Sequence, residues 1–336
     1  MSFPSLVALL LVGLTTSYAL PTPPLTYTDD AGAIAIANTL QTMGYVNILG
    51  IVSDVTSNYS LAAIDAINTW YCHPNIPLAQ TNHLTDTVRE PEVNSTDAEY
   101  ITTLANSQVF PQNFDRSKVK DPVEFYHDIL SEAEDNSVTI IAIGFFTNLY
   151  NLYYSENGPA LIKAKVKELV VQGGSCNTTD KPHNAGYNQV HDLPSAEVVM
   201  KWPSPVTFFP GFVANQVQAG QAALNISTTN PVRFVYETVD FGLEFEPDDI
   251  ITTYYAIFGL TDDSFIYGNS NGTGGLQFVP NPKSPVAVNK YSVWNYVVNP
   301  PAQQRYVILN KPPQTIADKL NGLISCFGEG QPNCSS

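Results

Sequence analysis

Short apolar segments that alternate with helical segments constrain the fold of this chain most. The clearest strand signal is the continuous apolar run at residues 137–144, and a second run covers residues 46–53. Runs of this length are typical of strands that are buried on both faces of a parallel sheet. Helical patterns follow them, at residues 147–154 and 60–71. The alternation predicts parallel strands that are joined by helical crossovers.

The same alternation continues along the chain. It predicts further strands at 166–172 and 206–209 and helices at 121–133, 194–201, 213–224, 249–258 and 314–325, whereas residues 82–118 show no clear element. Short strands predicted at 265–268, 276–279, 286–288 and 306–309 form an antiparallel meander at the sheet edge. The predicted fold class is α/β: an open, mostly parallel, doubly wound sheet with flanking helices and a small antiparallel edge meander.

The N-terminus resembles a secretory signal peptide. An apolar run at residues 5–14 is too short to span a bilayer, and small residues follow it up to Ala19. We therefore expect a signal peptide at residues 1–19, one domain at residues 20–336, and a secreted protein. Residues 20–27 contain three prolines, which cannot donate the hydrogen bonds of a central strand.

The sequons and cysteines agree with export. Six Asn-x-Ser/Thr triplets are glycosylation acceptors and begin at Asn58, Asn94, Asn177, Asn225, Asn271 and Asn333. Four cysteines tend to pair in an oxidising compartment, and three pairings are open to them. The short loop between Cys326 and Cys334 favours that pair, and Cys72 would then pair with Cys176 if the two lie close together.

The charge of the chain limits its partners. With 15 Lys and Arg against 31 Asp and Glu, the formal net charge is −16. Such a chain repels nucleic-acid backbones and anionic membrane surfaces. We therefore expect no nucleic-acid partner and no membrane partner after signal cleavage, whereas neutral small molecules remain compatible.

Two adjacent carboxylates, Asp29 and Asp30, open an apolar helix of small residues at 28–37. Asp is favoured at a helix start because it accepts hydrogen bonds from first-turn amides and faces the positive end of the dipole. One interpretation is a solvated acidic cap, and the other is a binding site for a cation or for sugar hydroxyls. Asp54, Asn58, Thr147 and the turn after residue 172 also follow predicted strands, so they meet at the same rim of the sheet.

Several motifs occur in a characteristic order. Asp29-Asp30-Ala31 comes first, followed by the strand at 46–52, the turn Gly144-Phe145-Phe146-Thr147-Asn148, and Gly173-Gly174. In this order and spacing the chain resembles the inosine-uridine-preferring nucleoside hydrolases, from about residue 28 to the last helix. The resemblance implies hydrolysis of the N-glycosidic bond of a ribonucleoside with the help of bound calcium.

The resemblance also implies roles for individual residues. Asp30, Thr147 through its backbone carbonyl, and Asp249 would hold Ca²⁺, which prefers oxygen ligands. Asp29, Asn58 and Asn188 would bind ribose hydroxyls. Candidates to protonate the leaving base are Asp248, His183 and His191. Thr147, Asn148 and Asp249 are also good helix caps, and Asn58 is also a glycosylation acceptor.

The chain departs from the family pattern at two places. The family carries an Asp-x-Asp after its first strand, where this chain has Thr22-Pro23-Pro24-Leu25, and a ribose-binding Glu where this chain has Gly186. The first hypothesis is thus a secreted nucleoside hydrolase whose activity is impaired or retained. The alternative is a catalytically inactive secreted member of the fold that binds a ligand or partner. Sugar hydrolysis by paired carboxylates is disfavoured, because the Asp pairs are neighbours in sequence.

Overall fold

Two sheets form the β structure in the computed structural model, which describes residues 7–12, 28–54, 56–81, 99–174, 188–189, 193–239, 247–268, 275–280, 291–297 and 304–327. The strands are β1 (Val7–Val12), β2 (Asn47–Ser53), β3 (Leu78–Gln80), β4 (Val138–Ala142), β5 (Val166–Gln172), β6 (Val206–Phe209), β7 (Phe265–Tyr267), β8 (Gly275–Pro280), β9 (Tyr291–Val297) and β10 (Gln304–Leu309). The main sheet has the order β3-β2-β1-β4-β5-β6-β10-β7. All its pairings are parallel except that of β10 with β7.

Helices cover both faces of this sheet. They are α1 (Thr28–Thr42), α2 (Ser60–Trp70), α3 (Glu99–Asn106), α4 (Pro122–Glu132), α5 (Thr147–Tyr154), α6 (Gly158–Lys165), α7 (Leu193–Val199), α8 (Gly211–Ala214), α9 (Pro231–Val239), α10 (Asp248–Phe258) and α11 (Pro313–Ile324). Successive residues of one strand point to opposite layers: Ile140 packs with α4 and α5, whereas Ile141 packs with α1 and α10. Two buried layers on one sheet confirm the doubly wound α/β fold.

Strand β1 corrects the expectation that the position after the first strand lies at residues 22–25. The first strand is present, but it comes from Val7–Val12 and lies between β2 and β4. An apolar run of this length is compatible with either a leader segment or a buried strand, so its periodicity does not distinguish the two. Cleavage after Ala19 would remove this strand from the middle of the sheet. The position that follows the first strand is therefore Gly13-Leu14 and not Thr22–Leu25.

Other differences concern elements with weaker patterns. The helix predicted at 213–224 is interrupted: α8 ends at Ala214, and a separate 3-10 turn covers Gln221–Asn225 after Gly220, whose φ of 122° no right-handed helix allows. Helix α3 forms within the segment that showed no clear element. The antiparallel edge is confirmed by the pairing of β7 with β10, but β10 also pairs parallel with β6, and within the described residues β8 and β9 form a separate two-stranded sheet. The strand predicted at 286–288 lies outside the described residues.

The cysteines pair differently from the favoured prediction. Cys72 is disulfide-bonded to a residue outside the described part of the chain, and Cys326 carries a free, exposed thiol. The Cys326–Cys334 pairing is therefore wrong. Loop length favoured that pair, but the chain after α11 packs against α2 instead, where the ring of Phe327 lies 6.1 Å from that of Tyr71. Among the described helices, none combines the length and the apolar character needed to cross a membrane.

Removing β1 is expected to destabilise the sheet strongly. A chain of residues 20–336 would leave the backbone groups of β2 and β4 unpaired in the sheet centre, which costs a large part of the roughly 5–15 kcal/mol that stabilises a domain. Thermal melts followed by circular dichroism would compare it with a chain that begins at Leu6 and keeps β1. Equal melting temperatures for the two chains would contradict the central position of β1.

Candidate active site

The site is built where helices α1 and α10 approach each other closely. Every residue of α1 from Ala31 to Ala37 that bears an apolar side chain is buried. Gly32 lies among these residues and makes the close contact of α1 with α10 possible. A Cβ atom at this position would lie 2.6 Å from Ile250 Cδ1 and 2.6 Å from Tyr236 Oη. Gly32 therefore lets the first turn of α10 lie against the first turn of α1.

This contact brings carboxylates together from distant parts of the chain. The backbone N–H of Asp249 donates to Asp29 Oδ2 at 3.4 Å, across 220 residues of sequence. The side chains of Asp30 and Asp249 lie within hydrogen-bond reach of each other. All three residues are buried. The predicted metal ligands Asp30 and Asp249 thus lie in one place.

A fourth carboxylate comes from the end of β2. Asp54 is buried and accepts a hydrogen bond from the backbone N–H of Phe145, which follows β4. Asn148 at the start of α5 donates from Nδ2 to the carbonyl of Ser53 at 3.2 Å. The charge of Asp54 is close enough to raise the pKa of Asp30. These bonds connect β2 to the segment after β4, and β1 lies between the two strands.

Burial and mutual repulsion dominate the electrostatics of these groups. Burial, followed by the charges of Asp29 and Asp54, raises the pKa of Asp30 well above its ordinary value. Burial, followed by the charges of Asp29, Asp30 and Asp248, raises the pKa of Asp249 in the same way. The positive ends of α1 and α10 offset part of this repulsion. The remaining negative charge favours a bound cation or a ligand rich in hydrogen-bond donors.

The donor set is suited to a hard cation. Carboxylate and carbonyl oxygens from several loops are the ligands that Ca²⁺ prefers. Within the described residues, no group of three or more His, Cys, Asp or Glu side chains is arranged to hold a metal ion. The candidate ligands are two side chains, Asp30 and Asp249, and the backbone carbonyl of Thr147, which is buried at the start of α5.

The other predicted site residues lie in different surroundings. Asn188 is buried and donates to the carbonyl of Ile143 at 2.8 Å, and half-buried Asp248 accepts from Gln172 Nε2 at 3.2 Å. Asn58 is exposed, and its carbonyl accepts from the guanidinium of Arg116. The structure therefore brings Asn188 and Asp248 into one hydrogen-bonded group and leaves Asn58 at the surface. His183 and His191 lie outside the described residues.

One site residue, Gln172, was missed by sequence reasoning. Gln172 ends β5 directly before Gly173-Gly174, whereas Asn148, which the sequence had placed at the rim, supports the loop after β2. A signal for Gln172 existed, because a polar residue at the carboxyl end of a buried strand points to the rim where ligands bind. Its partner Asp248 is 76 residues away, so no local pattern connects the two.

A separate cavity of about 620 Å³ lies beside the amino end of β3. Its two lysines are already paired, Lys118 with Asp115 and Lys120 with Asp128. The wall includes Asp65, which accepts a hydrogen bond from the backbone N–H of Asn113. This cavity is away from the acidic rim, so its size alone does not make it the site of chemistry.

An open parallel sheet with buried carboxylates at its carboxyl edge defines an α/β protein with a ligand site at that edge. A family model described as inosine-uridine preferring nucleoside hydrolase matches residues 26–305. The chain belongs to the inosine-uridine preferring nucleoside hydrolase family. No curated protein matches the sequence.

Solved structures share the fold at low sequence identity. An inosine-uridine preferring nucleoside hydrolase from Bacillus anthracis has 12% identity and a TM-score of 0.65, over 97% of this chain and 99% of that one. A purine-preferring ribonucleoside hydrolase from Gardnerella vaginalis has 14% identity and a TM-score of 0.63, over 96% and 99%. The type III effector protein XopQ, complexed with adenosine diphosphate ribose, has 12% identity and a TM-score of 0.64, over 96% and 94%.

Enlarging Gly32 is expected to disturb the contact between α1 and α10. In Gly32→Ala, the new methyl group overlaps Ile250, which is fully buried, so the free energy of unfolding should fall by about 1–3 kcal/mol. Gly322→Ala in helix α11 is the matched control, because a Cβ atom at this position meets nothing within 4 Å. This substitution should raise the free energy of unfolding by up to about 1 kcal/mol. Urea unfolding measures both; equal effects of the two changes would argue against the close contact.

The raised pKa values of Asp30 and Asp249 predict how stability depends on pH. Without a cation, the folded state binds protons more tightly than the unfolded state, so these groups lower the free energy of unfolding as pH rises from about 4 through their raised pKa values. In Asp249→Asn this decrease should become smaller, since one repelling charge is absent. Thermal melts in the presence of a chelator across pH 4–8 measure this decrease, and exposed Asp318→Asn is the control. If the stability of Asp249→Asn depended on pH as that of the wild type does, a raised pKa of Asp249 would be refuted.

Proposed function

We propose that this protein hydrolyses the N-glycosidic bond of ribonucleosides with the help of bound Ca²⁺. The single observation that carries the proposal is the hydrogen-bonded pair Asp30 and Asp249, which lies beside Asp29 at the carboxyl edge of the sheet. Membership of the nucleoside hydrolase family supports this reaction class. The structural relatives named for inosine, uridine and purine preference support a nucleoside as the substrate.

Asp30, Asp249 and the carbonyl of Thr147 would hold the cation. When bound, Ca²⁺ would orient the sugar's secondary hydroxyls and the attacking water. Asp29 would accept hydrogen bonds from the ribose hydroxyls. The C1′–N bond would break as the water oxygen bonds to C1′, the electron pair of that bond would leave with the base, and one of the rim carboxylates would accept the proton that the attacking water loses. The surrounding buried carboxylates stabilise the positive charge that develops on the sugar.

Asp248 would stand near the leaving base as a candidate proton donor, and Asn188 would bind ribose. Asn188 supports this role because its side chain is fixed by a backbone carbonyl and is almost fully buried. Asn58 is exposed, so we propose it as a glycosylation acceptor rather than as a ribose ligand.

A second candidate function is ligand binding without catalysis. It is favoured by one observation: no charged residue precedes Asp29, so the segment after β1 cannot supply the carboxylates of the family's Asp-x-Asp motif. Loss of a general base costs about two to four powers of ten in rate. A relative that was solved with adenosine diphosphate ribose supports binding of a ribosyl ligand in this fold.

We further propose that the protein is exported. The disulfide of Cys72 and the six sequons support an oxidising, glycosylating route. Residues 7–12 cannot be both a cleaved leader and the central strand, so export of the folded protein requires that these residues stay with it. N-terminal sequencing of protein recovered from the medium tests this: a start at Leu20 would contradict retention, and intracellular protein alone would contradict export.

Calcium titration calorimetry with a reducing-sugar assay on inosine and uridine tests the proposal. We expect ribose release that a chelator abolishes, and calcium at about 100 times its dissociation constant should raise the free energy of unfolding by about 2.7 kcal/mol. Asp249→Ala should lose calcium binding and sugar release while its circular dichroism spectrum stays native. The exposed control Asp318→Ala should keep both.

Three outcomes separate the candidates. Calcium binding with ribose release supports the hydrolase. Binding of ribose or adenosine diphosphate ribose without release supports the binding protein. Unchanged calcium affinity in Asp249→Ala removes Asp249 from the site, and absence of calcium binding in the wild-type protein refutes the calcium-assisted reaction.

A further inference from the structure

A row of side-chain amides crosses the rim between two predicted site residues. Asn188 Nδ2 donates to the carbonyl of Ile143 at 2.8 Å and to Gln172 Oε1 at 3.1 Å. Gln172 Nε2 then donates to Asp248 Oδ1 at 3.2 Å. Gln172 therefore contacts Asn188 with its oxygen and Asp248 with its nitrogen. We name these three side chains, Asn188, Gln172 and Asp248, the amide row.

The direction of these hydrogen bonds is determined by the groups at the two ends. The carbonyl of Ile143 can only accept, so Asn188 must direct its NH₂ group toward it. The same NH₂ group reaches Gln172, which must present its oxygen there. The NH₂ group of Gln172 is then directed to the carboxyl group of Asp248, which accepts it. Each amide therefore has one orientation. Turning Asn188 would place its oxygen against two other acceptors, and turning Gln172 would place donor against donor at Asn188 and acceptor against acceptor at Asp248.

The backbone holds Gln172 firmly at the centre of the row. Gln172 is the last residue of β5, and its carbonyl accepts from Gln189 Nε2 at 3.1 Å. The next residue, Gly173, has a φ of 115°, and a Cβ atom there would lie 2.2 Å from Gln189 Nε2. A glycine is therefore needed for Gln189 to pack beside the strand end. This packing fixes the backbone of Gln172 at the strand end.

We propose that Gln172 is a positioning residue that fixes Asp248 and Asn188 relative to each other. The proposal rests on the proposed function, in which Asp248 is placed near the leaving base and Asn188 near the ribose. Gln172 acts through these two side chains and not on the substrate itself. A side chain whose rotamer is fixed before the ligand binds loses less entropy on binding and stays in the reactive geometry.

Two substitutions separate the two ends of the row. Gln172→Met has a similar length and loses both hydrogen bonds. For nucleoside hydrolysis, KM should therefore rise and kcat should fall. Gln172→Glu keeps an oxygen for Asn188 but places a carboxylate against Asp248, so KM should return toward the wild-type value while kcat stays low. The expected decrease in kcat is about 10–100-fold in each, the range for small misplacements of reacting groups.

The matched control is Gln314→Met on helix α11. Gln314 Nε2 also donates to a carboxylate, Asp318 Oδ1, at 2.8 Å, but this pair is exposed. Its kinetic constants should equal those of the wild type, because neither residue belongs to the site. Equal KM values for Gln172→Met and Gln172→Glu, or wild-type kcat in both, would overturn the proposal.

A second measurement does not depend on catalysis. In NMR spectra of the full chain, Asp248→Ala should shift the side-chain NH₂ signals of Asn188, because Gln172 connects the two residues. The same change in a Gln172→Met background should leave those signals where they are. The exposed control Asp318→Ala should not move them in either background.

The two measurements distinguish the failure of the row from the failure of the proposed function. A wild-type protein that neither releases nor binds ribose refutes the proposed function, while the NMR result still decides whether Gln172 connects Asn188 and Asp248. Asn188 signals that do not respond to Asp248→Ala in the wild-type background refute the row itself. Circular dichroism melts show that each variant is folded.

Discussion

The site depends on the contact of two helix starts that carry charges of the same sign. Carboxylates repel each other when buried, and only a specific packing arrangement keeps Asp30 and Asp249 within hydrogen-bond distance. Gly32 permits that arrangement, and the positive ends of α1 and α10 offset part of the repulsion. The fold thus holds an electrostatically unfavourable group in place by apolar packing on all sides of α1. A cation or a donor-rich ligand would relieve this repulsion.

The main sheet fixes the loops that surround this contact. Its central strands end at the rim, and hydrogen bonds from the Phe145 backbone to Asp54 and from Asn148 to Ser53 connect the loops on either side of β1. The amide row adds a second set of connections on the β5 side. Polar side chains at strand ends therefore do two things in this protein. They satisfy buried backbone groups, and they fix the orientation of the carboxylates.

Much of the fold was predictable because buried strands have a strong local pattern. Strands β5 and β6 and helix α5 occur with the predicted bounds. Asp29 and Asp30 were predicted at the rim because they open a helix. Segments with an ambiguous pattern were not predictable: Val7–Val12 fits a leader and a strand equally well, and the region at 213–224 resembles a helix although its helix ends at Ala214 and Gly220 has a φ of 122°. Gln172 was missed because its partners lie far away in sequence.

The pairing of β1 has a consequence for the order in which the protein folds. β1 is synthesised first, but one of its two neighbours, β4, ends only at Ala142. Until then the backbone of this apolar segment has at most one strand to pair with, and parallel pairing across such a separation forms slowly. During translation this segment is thus available to any factor that binds nascent apolar chains. The centre of the sheet can therefore be completed only after β4 has been synthesised.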